Sequence, residues 1–205
     1  MNAYVLTTVA RLKAFIGMTG TTYDSVFEVI IDSVTDFIEN ECDRRFKKTA
    51  YTDTVVDGRG SSELVLPQWP VVSGETFTLY HRNSGTYGGN TWTVVSSNDY
   101  RKDEEAGIVN ANGAFYKGFQ NYKVLFTAGY DFENVTDPLK TLASVGLSDL
   151  EMIVWKLCNR AFNDRKSSGN ISRMKLYNYD VTFSKEAYSD DEIKEVLSKY
   201  KRFVV

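Results

Sequence analysis

Along the first fifty residues, apolar positions recur every three or four places. Val9, Leu12, Phe15 and Ile16 form a short stripe, with Thr7 or Thr8 placed to cap a helix and Gly17 and Gly20 to end it. A longer stripe runs from about Thr22 to Arg45. At about 100° per residue from Asp24, Val26, Phe27, Ile30, Ile31, Val34, Phe37 and Ile38 fill an arc of roughly 200 to 340°, one core-facing side of a helix. Its opposite side carries Asp24, Glu28, Asp32, Asp36, Glu39 and Asp43 with no base four residues on. Like charges at that spacing cost a few tenths of a kcal/mol each. That side reads either as a solvated face favoured by the helix dipole at its start or as a face kept negative for use. Arg44, Arg45, Lys47 and Lys48 follow where a helix C-terminus favours cations.

From about Thr49 the period falls to two. Thr52, Thr54 and Val56 alternate with Asp53, Val55 and Asp57, and ELVL, ETFTLYHR, TWTVV and YKVLFTAG are rich in β-branched and aromatic residues. Asp57-Gly58-Arg59-Gly60, Asn83-Ser84-Gly85, Gly88-Gly89-Asn90 and Asn112-Gly113 supply turns, and Pro67 and Pro70 around Trp69 mark an edge or bend. This predicts five to seven strands. Helical spacing returns after Gly129: Asp137-Pro138 opens a short helix ending near Gly146, and Ser148-x-x-Glu151 is a capping-box pattern before Leu150, Ile153, Val154, Leu157, Cys158 and Ala161. Ser167-Ser168-Gly169-Asn170 closes that helix. Alternation at Leu176, Tyr177, Tyr179, Val181 and Phe183 predicts a strand or hairpin arm near 172–184, and Ser189-x-x-Glu192 opens a terminal helix.

The fold class expected is α+β, a helical bundle formed by N- and C-terminal helices with an inserted antiparallel β-rich block. The expected divisions are 1–48, 49–130 and 131–205, the two helical parts packing as one core.

Composition narrows the function. The chain has 205 residues and 24 Lys+Arg against 27 Asp+Glu, a net charge of -3 that is too balanced for a general nucleic-acid binder. No apolar run approaches the roughly 20 residues of a membrane span, and the opening MNAYVLTTVARLKAF lacks the pattern of a secretory signal, so a cytoplasmic origin without membrane association is expected. Cys42 and Cys158 lie apart in helical patterns and are expected to be buried free thiols.

Candidate chemistry is sparse. The single His, His81, sits in a strand pattern and reads as a surface or pairing residue. Asp103, Glu104 and Glu105 lack calcium-loop spacing and read as a solvated loop. No nucleophile, zinc-protease or phosphate-loop motif occurs. No catalytic site, metal or cofactor is therefore expected. Tyr80, Tyr87, Trp92, Tyr100, Tyr116 and Tyr122 belong to core and interface or, alternatively, to a sugar- or base-stacking surface, with Tyr87 and Trp92 the candidates for a carbohydrate-binding module.

The order of these strings resembles a known family. YVLTTVARLKAFIG, then FEVIIDSVTDFIENECDRRF with Cys42, Arg44 and Phe46 at its end, is similar to the N-terminal signature of tailed-phage head-tail connector proteins, the neck adaptors beneath the portal. ELVLPQWPVVS resembles that family's Leu-x-Leu-Pro-x-x-Pro-Val segment, FTAGY with GLSDLEMIVWKLCNRAFNDRK its Gly-Tyr turn and late helix, and EIKEVLSKYKRF its terminal helix. Two departures are Ser148 where the family has Pro before the late helix, and the added Pro138-Leu139-Lys140 segment.

The resemblance implies a homo-oligomeric ring, commonly of twelve subunits, in the virion neck after assembly in the host cytoplasm. Such a ring docks on the portal protein, extends the channel for double-stranded DNA without sequence-specific binding, and offers a surface to the next neck or tail protein. It assigns Lys199, Tyr200, Arg202, Phe203, Val204 and Val205 to portal contact. The ring also gives the acidic arc a use, with Asp24, Glu28, Asp32 and Asp36 lining the channel or, alternatively, facing outward or pairing with Arg and Lys of a neighbouring subunit. Head stoppers and tail terminators are the neighbouring alternatives.

Overall fold

The computed structural model describes residues 4–82, 91–132, 140–165 and 191–201, which together form an α+β protein. They fall into two compact units, one of residues 1–44 and 131–205 and the other of residues 45–130. The sequence-predicted arm near 172–184, the Asp137-Pro138 helix start, the turns at 83–90 and the closing stretch 167–170 lie outside the described residues.

The first unit is helical. Helix α1 (Val9–Ile16) starts at Thr8, whose Oγ1 accepts from the Arg11 amide at 3.3 Å, and ends at Gly17. Thr7, the alternative cap, is instead buried and accepts from the Trp155 indole Nε1 at 2.8 Å. Helix α2 (Asp24–Cys42) buries Phe27, Ile30, Ile31, Val34 and Ile38 of the predicted stripe and leaves Val26 and Phe37, at one edge of it, half-buried. It stops three residues short of Arg45 because Asp43 turns left-handed at φ 50° and gives its amide to the Asn40 and Glu39 carbonyls.

Helix α3 (Ser148–Asp164) buries Leu150, Ile153, Val154, Leu157 and Phe162 and packs on α2, Phe162 meeting Phe27 with ring centroids 4.6 Å apart. Helix α4 (Asp191–Tyr200) buries Ile193 and Leu197, and the Cys42 thiol reaches the Leu197 carbonyl at 3.9 Å. Burial alone of each such leucine or isoleucine stabilises by about 1.5–3 kcal/mol. Between residue 140 and α3 the described residues hold a 3-10 turn, Ala143–Val145, ending at Gly146.

The second unit contains two antiparallel sheets. One has the order β1 (Thr49–Gly58), β7 (Gly118–Ala128), β3 (Thr78–Arg82), β4 (Trp92–Val94); the other has β2 (Glu63–Val65), β6 (Ile108–Ala111), β5 (Tyr100–Asp103). Strand β7 follows its alternation and buries Tyr122, Val124, Phe126 and Ala128. These meet Leu79 of β3, Leu64 of β2 and Val109 of β6 in one core. Strand β1 departs from strict alternation, with register shifts between Tyr51 and Thr54 and between Val56 and Gly58. The extra residue between Tyr51 and Thr54 puts Tyr51, Thr54 and Val56 on the same side of the sheet, opposite the buried Phe126, Val124 and Tyr122 of β7. The Trp69–Pro70 bend has a cis peptide.

Candidate assembly surfaces

The acidic side of α2 keeps Glu28 and Asp36 exposed and Asp32 half-buried, while Asp24 forms an ion pair with Lys13 at 2.8 Å. The expectation that all six acids share one solvated face fails at its far end. Glu39 is buried, and Asp43 has left the helix. The basic group likewise does not cap α2 as a cluster: Arg44 is buried, and Arg45, Lys47 and Lys48 belong to the β unit, where Lys48 pairs with Glu75 at 2.6 Å.

The predicted capping box at Ser148 does not form. The N-cap is Leu147, Ser148 is the first helical residue, and Glu151 turns inward. Its carboxylate, 1% exposed, receives Arg11 Nε at 2.7 Å and Nη2 at 2.8 Å, a two-pronged pair joining α1 to α3. The guanidinium also lies 5.4 Å above the Trp155 ring, on which Phe15 stacks at 5.2 Å. A carboxylate taken out of water needs such a partner, and this one comes from the other end of the chain.

At the end of α4, Lys199 and Tyr200 are the described members of the set assigned to portal contact. Tyr200 donates its hydroxyl to Asp149 Oδ1, and Lys199 stands 3.9 Å from Asp149 Oδ2 and is exposed. Lys201 pairs with Glu41. Arg202, Phe203, Val204 and Val205 lie outside the described residues.

In the β unit the aromatic set divides. Tyr122 is buried in the core, and Tyr100 is half-buried beside Phe77, whose ring centroid is 5.8 Å away. Tyr80 and Trp92 share Lys123, at 4.9 and 5.3 Å from their rings, and Trp92 also carries Arg82 at 4.9 Å. Tyr87 lies outside the described residues. His81 pairs in register with Tyr122 and Thr93 and lies between the Tyr116 and Tyr122 rings, at 5.2 and 5.0 Å; burial lowers its pKa. The acidic loop is a hairpin turn: Asp103 Oδ1 accepts from the Ala106 amide at 2.9 Å, and hydrogen bonds from Lys102 and Ser73 hold Glu104 below the ordinary carboxylate range. Burial raises both cysteine thiols, Cys42 to about 11.

Phe119, absent from the sequence-derived candidates, stands with Tyr116 where β7 begins and β1 ends. They are 76% and 71% exposed, the highest values among the described large apolar residues. The signal available in the sequence was Gly118 between these aromatics; Gly58 comes opposite it only through the pairing of β1 with β7. A Cβ on Gly58 would lie 2.0 Å from the Tyr116 carbonyl oxygen.

No protein-family model matches the chain, and no curated protein sequence matches it. Solved structures do. A chain in the neck of an empty GTA particle, computed with C6 symmetry, aligns over 98% of this chain and 91% of its own, with a TM-score of 0.54 at 14% identity. A chain in the virion of a native gene transfer agent (GTA) particle aligns over the same shares with a TM-score of 0.53 at 15% identity. At these identities the likeness is one of fold, and it extends over both units.

Proposed function

We propose that this chain is a structural, non-catalytic neck protein of a phage-like particle, an adaptor that forms a ring on the portal, continues the DNA channel and receives the next neck or tail protein. The observation that carries the reading is the fold shared across 98% of the chain with a chain from the neck of a GTA particle. The order of connector-like strings supports it independently, since those strings were matched by sequence alone. On this reading the N- and C-terminal helices form a bundle with the β block inserted, and rings of twelve occupy the virion neck after assembly in the host cytoplasm.

Two surfaces have roles in the mechanism. The last turn of α4 and the segment beyond it, Lys199, Tyr200, Arg202, Phe203, Val204 and Val205, engage the portal, a basic turn leading an apolar end. Asp24, Glu28, Asp32 and Asp36 face the lumen, where repeated carboxylates within a Debye length of about 8 Å repel phosphates and keep DNA sliding. The test is to mix purified protein with portal-bearing, DNA-filled heads and image them. An added ring beneath the portal is expected, lost on deletion of residues 202–205. Bare portals beside folded wild-type protein refute the reading. Tight, salt-sensitive DNA binding by the assembled ring refutes the assignment of the acidic side.

A further inference from the structure

Helix α4 is ten residues long, shorter than the roughly 12–15 at which an isolated helix becomes stable in water, so its direction is set by what it packs on. Ile193 and Leu197, about one turn apart, are buried and lie along a single line of its surface. One line of contact holds a helix down but lets it roll. The last turn stops the roll. At about 100° per residue, Tyr200 and Lys201 fall to either side of that line. A different helix takes each of them: the Tyr200 hydroxyl donates to Asp149 Oδ1 in the first turn of α3, and the Lys201 ammonium pairs with Glu41 in the last turn of α2. Asp149 is itself held, since Oδ1 also accepts from the Leu150 amide at 2.8 Å and the helix start favours an acid. Lys199 stands 3.9 Å from Asp149 Oδ2, beyond hydrogen-bond reach, and is 56% exposed.

We propose that Asp149 and Glu41 are positioning residues, which aim the end of α4 at the portal without touching it. The inference rests on the portal-docking reading and adds to it the two acids that act behind the contact residues. Tyr200 contributes its hydroxyl to the hold, and Lys199 with the chain beyond Lys201 is what the hold presents. A last turn fixed between α2 and α3 has one orientation, so the entropy of ordering it is lost on folding and not again on docking. A helix end with nothing to hold it frays at almost no cost in free energy. Asp149, Glu41 and Lys201 are each at least 40% exposed, and pairs so open to water add little to stability. Their worth lies in the direction they give α4. Both acids come from helices whose apolar faces are buried, so α4 takes its orientation from the core of the unit.

The test measures loading of the full chain onto portal-bearing, DNA-filled heads against concentration, beside amide hydrogen exchange of the free protein. Asp149→Ala and Tyr200→Phe should each raise the half-loading concentration about fivefold, the typical worth of one hydrogen bond, because docking must then order a turn which that bond had held. Asp149→Ala/Tyr200→Phe should lose no more than either alone. Glu41→Lys should weaken loading about threefold, and Glu41→Lys/Lys201→Glu, which reverses the pair, should recover most of that loss. In each weakened variant exchange should quicken in residues 197–201 and keep the wild-type rate in residues 150–162, with melting lowered by no more than about 4 °C. Additive losses in Asp149→Ala/Tyr200→Phe would mean that the two side chains act apart and overturn the inference. So would a reversed pair that loads no better than Glu41→Lys, unchanged exchange at 197–201, or exchange rising equally in α3, the mark of a merely structural role. Wild type that fails to load sinks the portal reading and the inference with it, whereas wild-type loading by every variant sinks the inference alone.

Discussion

The ion pair between Arg11 and Glu151 makes an asymmetric prediction. Glu151 is 1% exposed, whereas the Arg11 side chain is 34% exposed and reaches water at its edge. Arg11→Met keeps apolar cover over Trp155 but strands a buried carboxylate. Breaking a fully buried pair costs about 3–5 kcal/mol, and partial exposure of this one puts the expected loss near the lower end, about 3 kcal/mol. Glu151→Gln leaves an arginine that can swing to solvent and a carbonyl that can still accept, so about 1 kcal/mol is expected. Arg11→Met/Glu151→Leu removes both charges and should come within about 1 kcal/mol of wild type.

The assay is urea unfolding followed by fluorescence in a Trp69→Phe/Trp92→Phe background. Trp155 is then the sole tryptophan and reports on the helical unit. Equal losses for Arg11→Met and Glu151→Gln, or a double variant as weak as the sum of the singles, would refute the reasoning.

Two further outcomes follow from the β unit. Gly58→Ala should destabilise it by about 1–3 kcal/mol in denaturant titrations, since its Cβ meets the Tyr116 carbonyl and Tyr122, while Gly113→Ala, with nothing within 4 Å, should be nearly neutral. His81, packed between Tyr116 and Tyr122, has its pKa lowered by burial, so the folded chain resists a proton that the unfolded chain accepts. Its contribution is complete above about pH 6.5 and is lost as pH falls through that value toward the folded one. His81→Gln should therefore show a shallower decline of melting temperature between pH 7.5 and 5 than wild type, and an identical decline would count against the sign.

Where a residue's role is set by neighbours in sequence, the pattern found it. The apolar arc of α2 and the alternation of β7 follow from a period of 3.6 or 2, and the structure buries most of those residues, leaving Val26 and Phe37 half-buried at one edge of the α2 arc. Where the role depends on a partner far along the chain, local rules misdirected. Ser148-x-x-Glu151 satisfies the spacing of a capping box, yet a carboxylate 140 residues from Arg11 is worth more as that guanidinium's buried partner. Glu39 repeats the lesson, an acid on a polar arc that packing has covered. The Tyr116 and Phe119 surface was half legible. Gly118 between Tyr116 and Phe119 announced a turn, and the bonds of the Tyr116 amide to the Tyr122 hydroxyl and of Asn121 Nδ2 to the Tyr116 carbonyl are local, but the bond from Gly58 N to Asn121 Oδ1 exists only once β1 and β7 pair.

The two ends of the β unit meet. The Tyr130 amide donates to the Phe46 carbonyl and the Lys48 amide to the Tyr130 carbonyl, each at 2.8 Å, and Gly129, at φ 102°, lies where a Cβ would strike the Lys47 carbonyl oxygen at 2.6 Å. Once folded, this unit therefore acts as a clasp on the chain. It short-circuits roughly 84 of the 140 residues separating Arg11 from Glu151, which lowers the entropy cost of closing that loop by about 0.8 kcal/mol. During synthesis the clasp can close while α3 and α4 are still on the ribosome. The first two helices, whose apolar faces have no partner until then, are thus held a short chain length from the helices that will cover them.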